Sequence, residues 1–253
     1  MAVAARDLQK AQDFASKFDI PKAYGRYEEL SQDPKVEIAY VGVIAPQHYK
    51  VVKLMLHAGK HVLCEKPLGI DVKQVKEMLD LAKAKGLFFM EAIWSRTFPI
   101  YKKLRNLLDN KVVGEPKHVI ITFAQEQAPD SKLTRKETGG GTLLDFGVYA
   151  IQMCLLAYNG QKPTRIQATA IGVNENGVDI GLNVNMHFPN DGFATFNTDL
   201  RVKMSNRAII AGRNGVITVK MHSGIFSNVP FIPKLSELSV TPEKLVKLQN
   251  VFQ

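Results

Sequence analysis

Along the first ninety or so residues the apolar positions switch repeatedly between two periods. "AVAA" (2–5) reads as the end of a strand. In "DLQKAQDFASKF", Leu8, Ala11, Phe14, Ala15 and Phe18 fall on one helical face, with Asp7 placed to cap it. "VEIAYVGV" is a continuous β-branched run of the kind found in parallel sheets covered on both faces. "HYKVVKLMLHAGK" predicts a helix stopped at Gly59, and "HVLC" the next strand. Asp71 with Gln74 opens a further helix, "DVKQVKEMLDLAKAK", ended by Gly86, and "LFFMEAI" is another strand. This alternation predicts an α/β fold with a doubly wound parallel sheet over residues 1–93.

After Trp94 the rhythm changes. A helix near "IYKKLRNLLDN" precedes a strand, "KHVIITFAQE", and "TGGGT" leads into a long helical segment from Leu143 to about Ala157. Four alternating runs follow, "TRIQATAIG", "IGLNVNMHF", "FATFNTDLRV" and "VITVKM", set off by the turn signals "NENG", "PNDG" and "RNG". Residues 94–253 are therefore expected to form an α+β domain whose mainly antiparallel sheet has one face under the helix.

Composition narrows the function classes. The net charge of +9 (33 Lys and Arg against 24 Asp and Glu) comes from dispersed lysines, and the densest clusters, 102–105 and 132–136, lack interleaved aromatics. No nucleic-acid partner is expected, although the charge suits an anionic dinucleotide. The longest apolar stretch is interrupted by Asp145 and is short for a membrane span, so no membrane partner is expected. The N-terminus has no secretory pattern, and Cys64 and Cys154 sit inside apolar runs as buried thiols rather than a disulfide or metal site. These features predict a cytoplasmic protein with no metal.

Three places suggest chemistry. Lys66 directly follows the strand "HVLC", at the carboxyl end where ligands of doubly wound folds lie; alone it reads as well as a strand-end lysine in water. Arg6 stands where the second strand of a dinucleotide fold meets the adenine ribose, with Lys10 one turn later. An arginine fork there suits a 2′-phosphate and hence NADP, unless it is an ordinary surface residue. In "GGGTLLDFGVY" (139–149) the glycines follow a charged stretch, not a strand, so they are no dinucleotide fingerprint. Asp145 and Tyr149 share a helix face as an acid–phenol pair, or as two satisfied polar residues of a core helix.

Taken together, "AGKHVLCEKPLG" and "GGGTLLDFGVY" resemble the glucose–fructose oxidoreductase/inositol dehydrogenase-like family of nicotinamide enzymes. Most members have His where this chain has Tyr149. The resemblance, supported by "AYVGV", "MEAIWSRTFP" and "AARD", runs to about residue 220. It implies an NADP-dependent dehydrogenase in which Tyr149 is the acid/base, Lys66 its crevice partner and Asp145 a nearby catalytic carboxylate. Arg6 and Lys10 would hold the 2′-phosphate, His48, Glu65 and Lys66 would lie near the nicotinamide, and Trp94, Arg96 and Phe123 would wall the substrate pocket. The small-molecule substrate implied is a trans-dihydrodiol of an aromatic hydrocarbon or a pentose, D-xylose, and the assembly a homodimer. Where relatives commonly carry a Thr-Pro turn, this chain has Val43-Ile44-Ala45-Pro46. A free phenol ionises near pH ~10 and is a weak base at neutrality; a neighbouring ammonium corrects that.

The dinucleotide domain is expected to be incomplete. "AVAA" corresponds to a second strand, and neither a first strand nor a glycine-rich pyrophosphate turn is present, which leaves two inner strands with an unpaired edge. The chain on this reading is shortened at both ends, weak in binding NADP and low in stability. The competing function is a catalytically inactive relative acting as a dimerisation module.

Overall fold

The computed structural model describes residues 1–220 and 238–242. The chain divides into two compact units, Met1–Ile93 and Trp94–Gln253.

The first unit runs β1 (Val3–Ala4), α1 (Leu8–Lys17), β2 (Ala23–Tyr24), α2 (Tyr27–Gln32), β3 (Ile38–Val41), α3 (Ala45–His57), β4 (His61–Glu65), α4 (Val72–Ala84) and β5 (Phe89–Ala92). The caps act as their residue types dictate. Asp7 accepts from the amides of Gln9 and Lys10, and Asp71 from that of Gln74 at 2.8 Å. Helix α3 has Ile44 at its cap position with no side-chain cap bond, and Pro46 in its first turn. β2 and α2 escape the hydrophobic pattern because both are short and the segment between Ile20 and Gln32 carries no sustained apolar period.

The parallel strands form two separate sheets, β1 with β2, and β3–β4–β5 in sequential order. Strands β1 and β3 are each paired on one edge, among the described residues, and both line a groove of about 1040 Å³ with Arg6, Phe14, Ile38 and Ile44. Asp33 links the two sheets. Its carboxylate accepts from Lys22 and from Tyr24 of β2, both at 2.9 Å, while its carbonyl accepts from Lys60 at the start of β4.

One expectation is corrected here. "VEIAYVGV" reads as a strand covered on both faces, yet Ile38 and Tyr40 are 56% and 62% exposed. The reason is topological. From β3 to β5 the chain advances in one direction, so both right-handed crossovers put their helices on the same face. Val41, Val62 and Cys64 point into the cluster with Val52, Leu56 and Met78, and the opposite face stays open.

The second unit contains a 3₁₀ turn (Trp94–Thr97), α5 (Pro99–Asp109), β6 (Pro116–Ala124), a π-helical turn (Leu143–Gly147) running into α6 (Val148–Ala157), and then β7 (Arg165–Val173), β8 (Asp179–Phe188), β9 (Gly192–Asp199), β10 (Arg207–Gly212), β11 (Gly215–Lys220) and β12 (Leu238–Pro242). The seven strands lie in the order β12-β11-β10-β6-β9-β8-β7. All neighbours are antiparallel except β6 and β9, which pair parallel. Strand β10 was not among the runs read from sequence. The tail after about residue 220 lies outside the described residues apart from β12.

Alternation decides which face is buried. Val119, Ile121, Val184, Phe196, Ile210 and Ile217 turn inward with Met153 and Cys154 of α6 and Leu104 of α5. The other face is mixed: Ile120 and Ile209 pair across β6 and β10, while the Asn183 amide donates to Asn197 at 2.9 Å across the β8–β9 pair. Helical residues from 136 to 157 are long and apolar enough in aggregate to cross a membrane, but Ala150, Met153, Cys154 and Ala157 are core residues of this unit.

Candidate active site

In the second unit, α6 carries Tyr149 into an aromatic cluster. The Trp94 indole N–H donates to the Tyr149 hydroxyl at 2.6 Å, and the two rings meet edge-on with centroids 5.8 Å apart. Phe123 of β6 packs on Tyr149 from another side at 5.7 Å and on Phe146 at 5.1 Å. Tyr149 is 5% exposed. Burying a phenol costs free energy unless its oxygen is hydrogen-bonded, and Trp94 meets that need. Phe123 is also buried, and Trp94 half-buried. Asp145 lies half-buried in the π-helical turn, a feature that often marks functional sites, and its amide donates to the Gly141 carbonyl. Arg96, in the same 3₁₀ turn as Trp94, is exposed.

The triple glycine has a structural explanation. Asp179, at the start of β8, accepts from the Leu143 amide at 2.8 Å and so occupies the helix N-terminus where an anion would bind. A side chain on Gly141, which lies at φ +124°, would overlap that carboxylate; one on Gly140 would press into the Leu133 and Arg135 carbonyls. Burial raises the Asp179 pKa, and the Leu143 amide works against that rise. This cap escaped sequence reading, although an acid opening "DIGLNVNMHF" was a visible signal.

In the first unit the strand-end residues form a rim. Because β3, β4 and β5 are parallel, Gly42, Lys66 and Ile93 leave the sheet at the same end. Glu65 accepts from the Tyr40 hydroxyl at 2.6 Å and from the Lys66 amide at 3.1 Å. Although most of the Tyr40 side chain is exposed, partial desolvation, together with the hydrogen bond to the Glu65 carboxylate, pushes its phenol up to about 12. The Lys66–Pro67 peptide is cis. His48 is buried, its ring nitrogens 2.8 Å from the Pro67 carbonyl and 2.9 Å from that of Val43. A neutral imidazole donates to one of these carbonyls and an imidazolium to both. His48 thus ties the loop after β3 to the Lys66–Pro67 turn through backbone atoms.

Glu91, inside the strand-like run "LFFMEAI", completes this rim by accepting from the Leu68 amide at 2.8 Å. Burial raises its pKa against that hydrogen bond. An acid within an apolar strand was the signal that could have found it. Arg6 and Lys10 are exposed at the opening of α1, and Arg6 lines the groove together with Val43, Ile44 and Gln47. The two thiols are buried, and burial pushes each up to about 12, leaving them unreactive as nucleophiles.

The adenosine end of a dinucleotide fits these residues, because an exposed guanidinium follows β1 at the mouth of a groove of suitable size. Among the described residues of this unit, no glycine-rich turn follows a strand at the carboxyl rim.

Comparison with known families decides the class. Residues 1–93 match the profile described as the oxidoreductase family with an NAD-binding Rossmann fold, and residues 101–218 match the GFO/IDH/MocA C-terminal domain. The chain belongs to the GFO/IDH/MocA oxidoreductase family. Trans-1,2-dihydrobenzene-1,2-diol dehydrogenase of Danio rerio is 41% identical over 222 residues, which are 88% of this chain and 66% of that protein. The Homo sapiens protein of the same name is 42% identical, over 86% of this chain and 65% of its own length. The chain thus spans just under two thirds of these relatives. Among solved structures, aldose-aldose oxidoreductase from Caulobacter crescentus, complexed with glycerol, superposes with a TM-score of 0.82 at 20% identity, covering 96% of this chain and 74% of the other. A 3-ketoreductase from Actinomadura kijaniata, in complex with NADP and TDP-benzene, gives a TM-score of 0.80 at 25% identity over 96% and 76%. This GFO/IDH/MocA chain therefore pairs a Rossmann-like NAD-binding domain with a sheet domain of the family type.

Proposed function

We propose that the chain carries the reacting side chains of an NADP-dependent dehydrogenase that oxidises a trans-dihydrodiol of an aromatic hydrocarbon, with D-xylose as the competing substrate. The observation that carries this reading is the buried Tyr149 hydroxyl, held by Trp94 among aromatic rings that suit a planar apolar substrate. The dihydrodiol dehydrogenase name of the relatives supports the substrate class.

In this mechanism Tyr149, ionised, takes the proton of the reacting hydroxyl as its carbon becomes a carbonyl. Bound NADP supplies the two-electron acceptor. Lys66 eases ionisation of Tyr149 by its positive charge, and Asp145 orients the neighbouring substrate hydroxyl. Arg6, with Lys10, would hold the 2′-phosphate through charge-assisted hydrogen bonds, which would favour NADP over NAD. His48, bonded to the Val43 and Pro67 carbonyls, and Glu65, bonded to the Lys66 amide, keep the loop after β3 and the Lys66 turn in register, and these residues would flank the nicotinamide.

A homodimer is the proposed assembly. Strand β7 supports it: it is an edge strand exposed along nearly its whole length, with Ile166, Ile171 and Val173 each more than half exposed. That same feature favours the second reading, a chain that retains the pairing surface without turnover.

The test is a rate comparison with purified chain, NADP or NAD, and either trans-1,2-dihydrobenzene-1,2-diol or D-xylose, beside an NADPH fluorescence titration and light scattering. Faster NADP reduction with the diol is the expected result. A folded dimer that neither binds NADPH nor turns over either substrate would establish the second reading.

A further inference from the structure

Trp94 is placed to do more than wall a pocket. An indole N–H is a donor with no acceptor capacity. At 2.6 Å from the Tyr149 oxygen it must therefore give its hydrogen to that oxygen. Two consequences follow. The hydroxyl hydrogen of Tyr149 is directed away from Trp94, toward whatever partner takes part in proton transfer. The bond also strengthens when the oxygen is ionised, because charge-assisted hydrogen bonds are roughly twice as strong as neutral ones. A donor to the charged form favours that form.

The indole is itself held in place. The Trp94 backbone carbonyl accepts from the Thr97 hydroxyl at 2.7 Å, which fixes the 3₁₀ turn, and the indole ring packs edge-on against Phe98 at 4.8 Å. On the other side Tyr149 is confined by Phe123. Donor and acceptor thus meet without a large loss of freedom on pairing. Besides Lys66, which the proposed function pairs with the phenol, the charged groups on the elements of this unit packed around it are few, and β9 beside the π-helical turn ends in Asp199, paired with Arg201. Helix α6 has none, the π-helical turn has Asp145, the 3₁₀ turn has Arg96, and β6 has Lys117 and His118 at its far end from Phe123.

We propose that Trp94 is a positioning residue for Tyr149, its indole N–H fixing the direction of the phenolic hydrogen and favouring the phenolate. This rests on the reading of Tyr149 as the acid/base.

Trp94 is the single tryptophan of the chain, so indole emission comes from this site alone and Tyr149→Phe isolates the share that depends on the pair. The experiment needs no cofactor. Trp94 emission is followed against pH in the native chain and in Tyr149→Phe, since an ionised phenol beside an indole quenches it. In parallel, tyrosinate absorbance is titrated in the native chain, Tyr149→Phe and Trp94→Phe, with circular dichroism to confirm folding at each pH. The Tyr149 step is the one lost in Tyr149→Phe. The expected result is an emission step at the Tyr149 midpoint that disappears in Tyr149→Phe, and an upward displacement of that midpoint by about one to two pH units in Trp94→Phe. Trp94→His, which restores a ring N–H, should recover part of the displacement. An emission profile indifferent to Tyr149→Phe, or a Tyr149 midpoint unmoved by Trp94→Phe, overturns the proposal. The first comparison stands even if Trp94→Phe fails to fold. Coupling in a chain that oxidises no alcohol supports the pair and counts against the dehydrogenase reading alone.

Discussion

The two units solve the same burial problem to different degrees. In the second, strands from β6 to β11 alternate so that one face joins α5 and α6 in a single core, and central strands such as β6 and β9 are paired on both edges. In the first, the parallel strands split into sheets of two and three, and one face of the larger sheet leaves Ile38, Tyr40 and Met90 about half exposed or more. The apolar content of each strand does not predict this difference. What separates the units is how many strands share one continuous sheet beneath a helical cover: seven in the second unit, against two and three in the first. The Tyr149 phenol sits in the well-packed unit, where Trp94 and Phe123 hold its ring closely. Arg6 and Lys10, the residues proposed to face the 2′-phosphate, stand exposed at the opening of α1 in the other.

The largest effect that would test this contrast is on turnover. Tyr149→Phe should lower the rate of diol oxidation by about 10²–10⁴-fold while the NADPH dissociation constant changes little, because the phenol and the 2′-phosphate residues belong to different units. Near-native turnover in that variant would remove Tyr149 from the mechanism. Next in size is packing. Phe196→Ala, at a fully buried position opposite Ile121, should cost about 3–5 kcal/mol in urea unfolding, whereas Ile38→Ala on the open face should stay within about 0.5 kcal/mol. Comparable losses at both positions would mean that the open face is covered in solution.

Arg6→Ala should weaken NADPH binding by about ten- to a hundredfold with little change for NADH. Equal weakening of the two would break the assignment of the 2′-phosphate to this arginine. The smallest effect concerns the tie between the two sheets of the first unit. Lys22, the Lys35 amide and Tyr24 hold the Asp33 carboxyl well below the usual carboxylate range, and Asp33 in turn raises Lys22. A depressed acid contributes stability above its unfolded pKa of ~3.9, lost as pH falls through the folded value. The raised lysine's share is present below ~10.4 and lost above it. Asp33→Asn should therefore lower the melting temperature between about pH 4 and 10, with the gap to the native chain closing on acidification. A gap that persists at pH ~1 would show that Asp33 acts through packing instead.

Much of this architecture was legible because it depends on local rules. Asp7 and Asp71 cap their helices, and the four alternating runs are the strands β7, β8, β9 and β11 of one sheet, although β7 at its edge is exposed on both faces. The family resemblance found through "EKP" and "GGGTLLDFGVY" agrees with the family matches over both units. Strand β10, "RAIIAG", went unread, and so did the parallel pairing of β6 with β9, since which distant strands adjoin is not written in either one's period. The site was legible in part. Tyr149, Trp94 and Phe123 were picked out and do come together, but the glycines proved to accommodate Asp179, and His48 was found to bridge two backbone carbonyls.

By itself the sequence determined the periods, the caps and the residue types at the reacting centre, because helices, strands and turns respond to neighbours within a few residues. Only the tertiary structure decided that β3–β5 would be covered on one face, since crossover handedness depends on the order of strands in the sheet. It alone decided that Asp179 would cap the helix of Tyr149 from 36 residues beyond Leu143, and that Trp94, 55 residues before Tyr149, would direct its indole N–H onto that phenol. Hydrogen bonds between residues so far apart depend on where packed elements place their side chains, and no spacing along the chain encodes that.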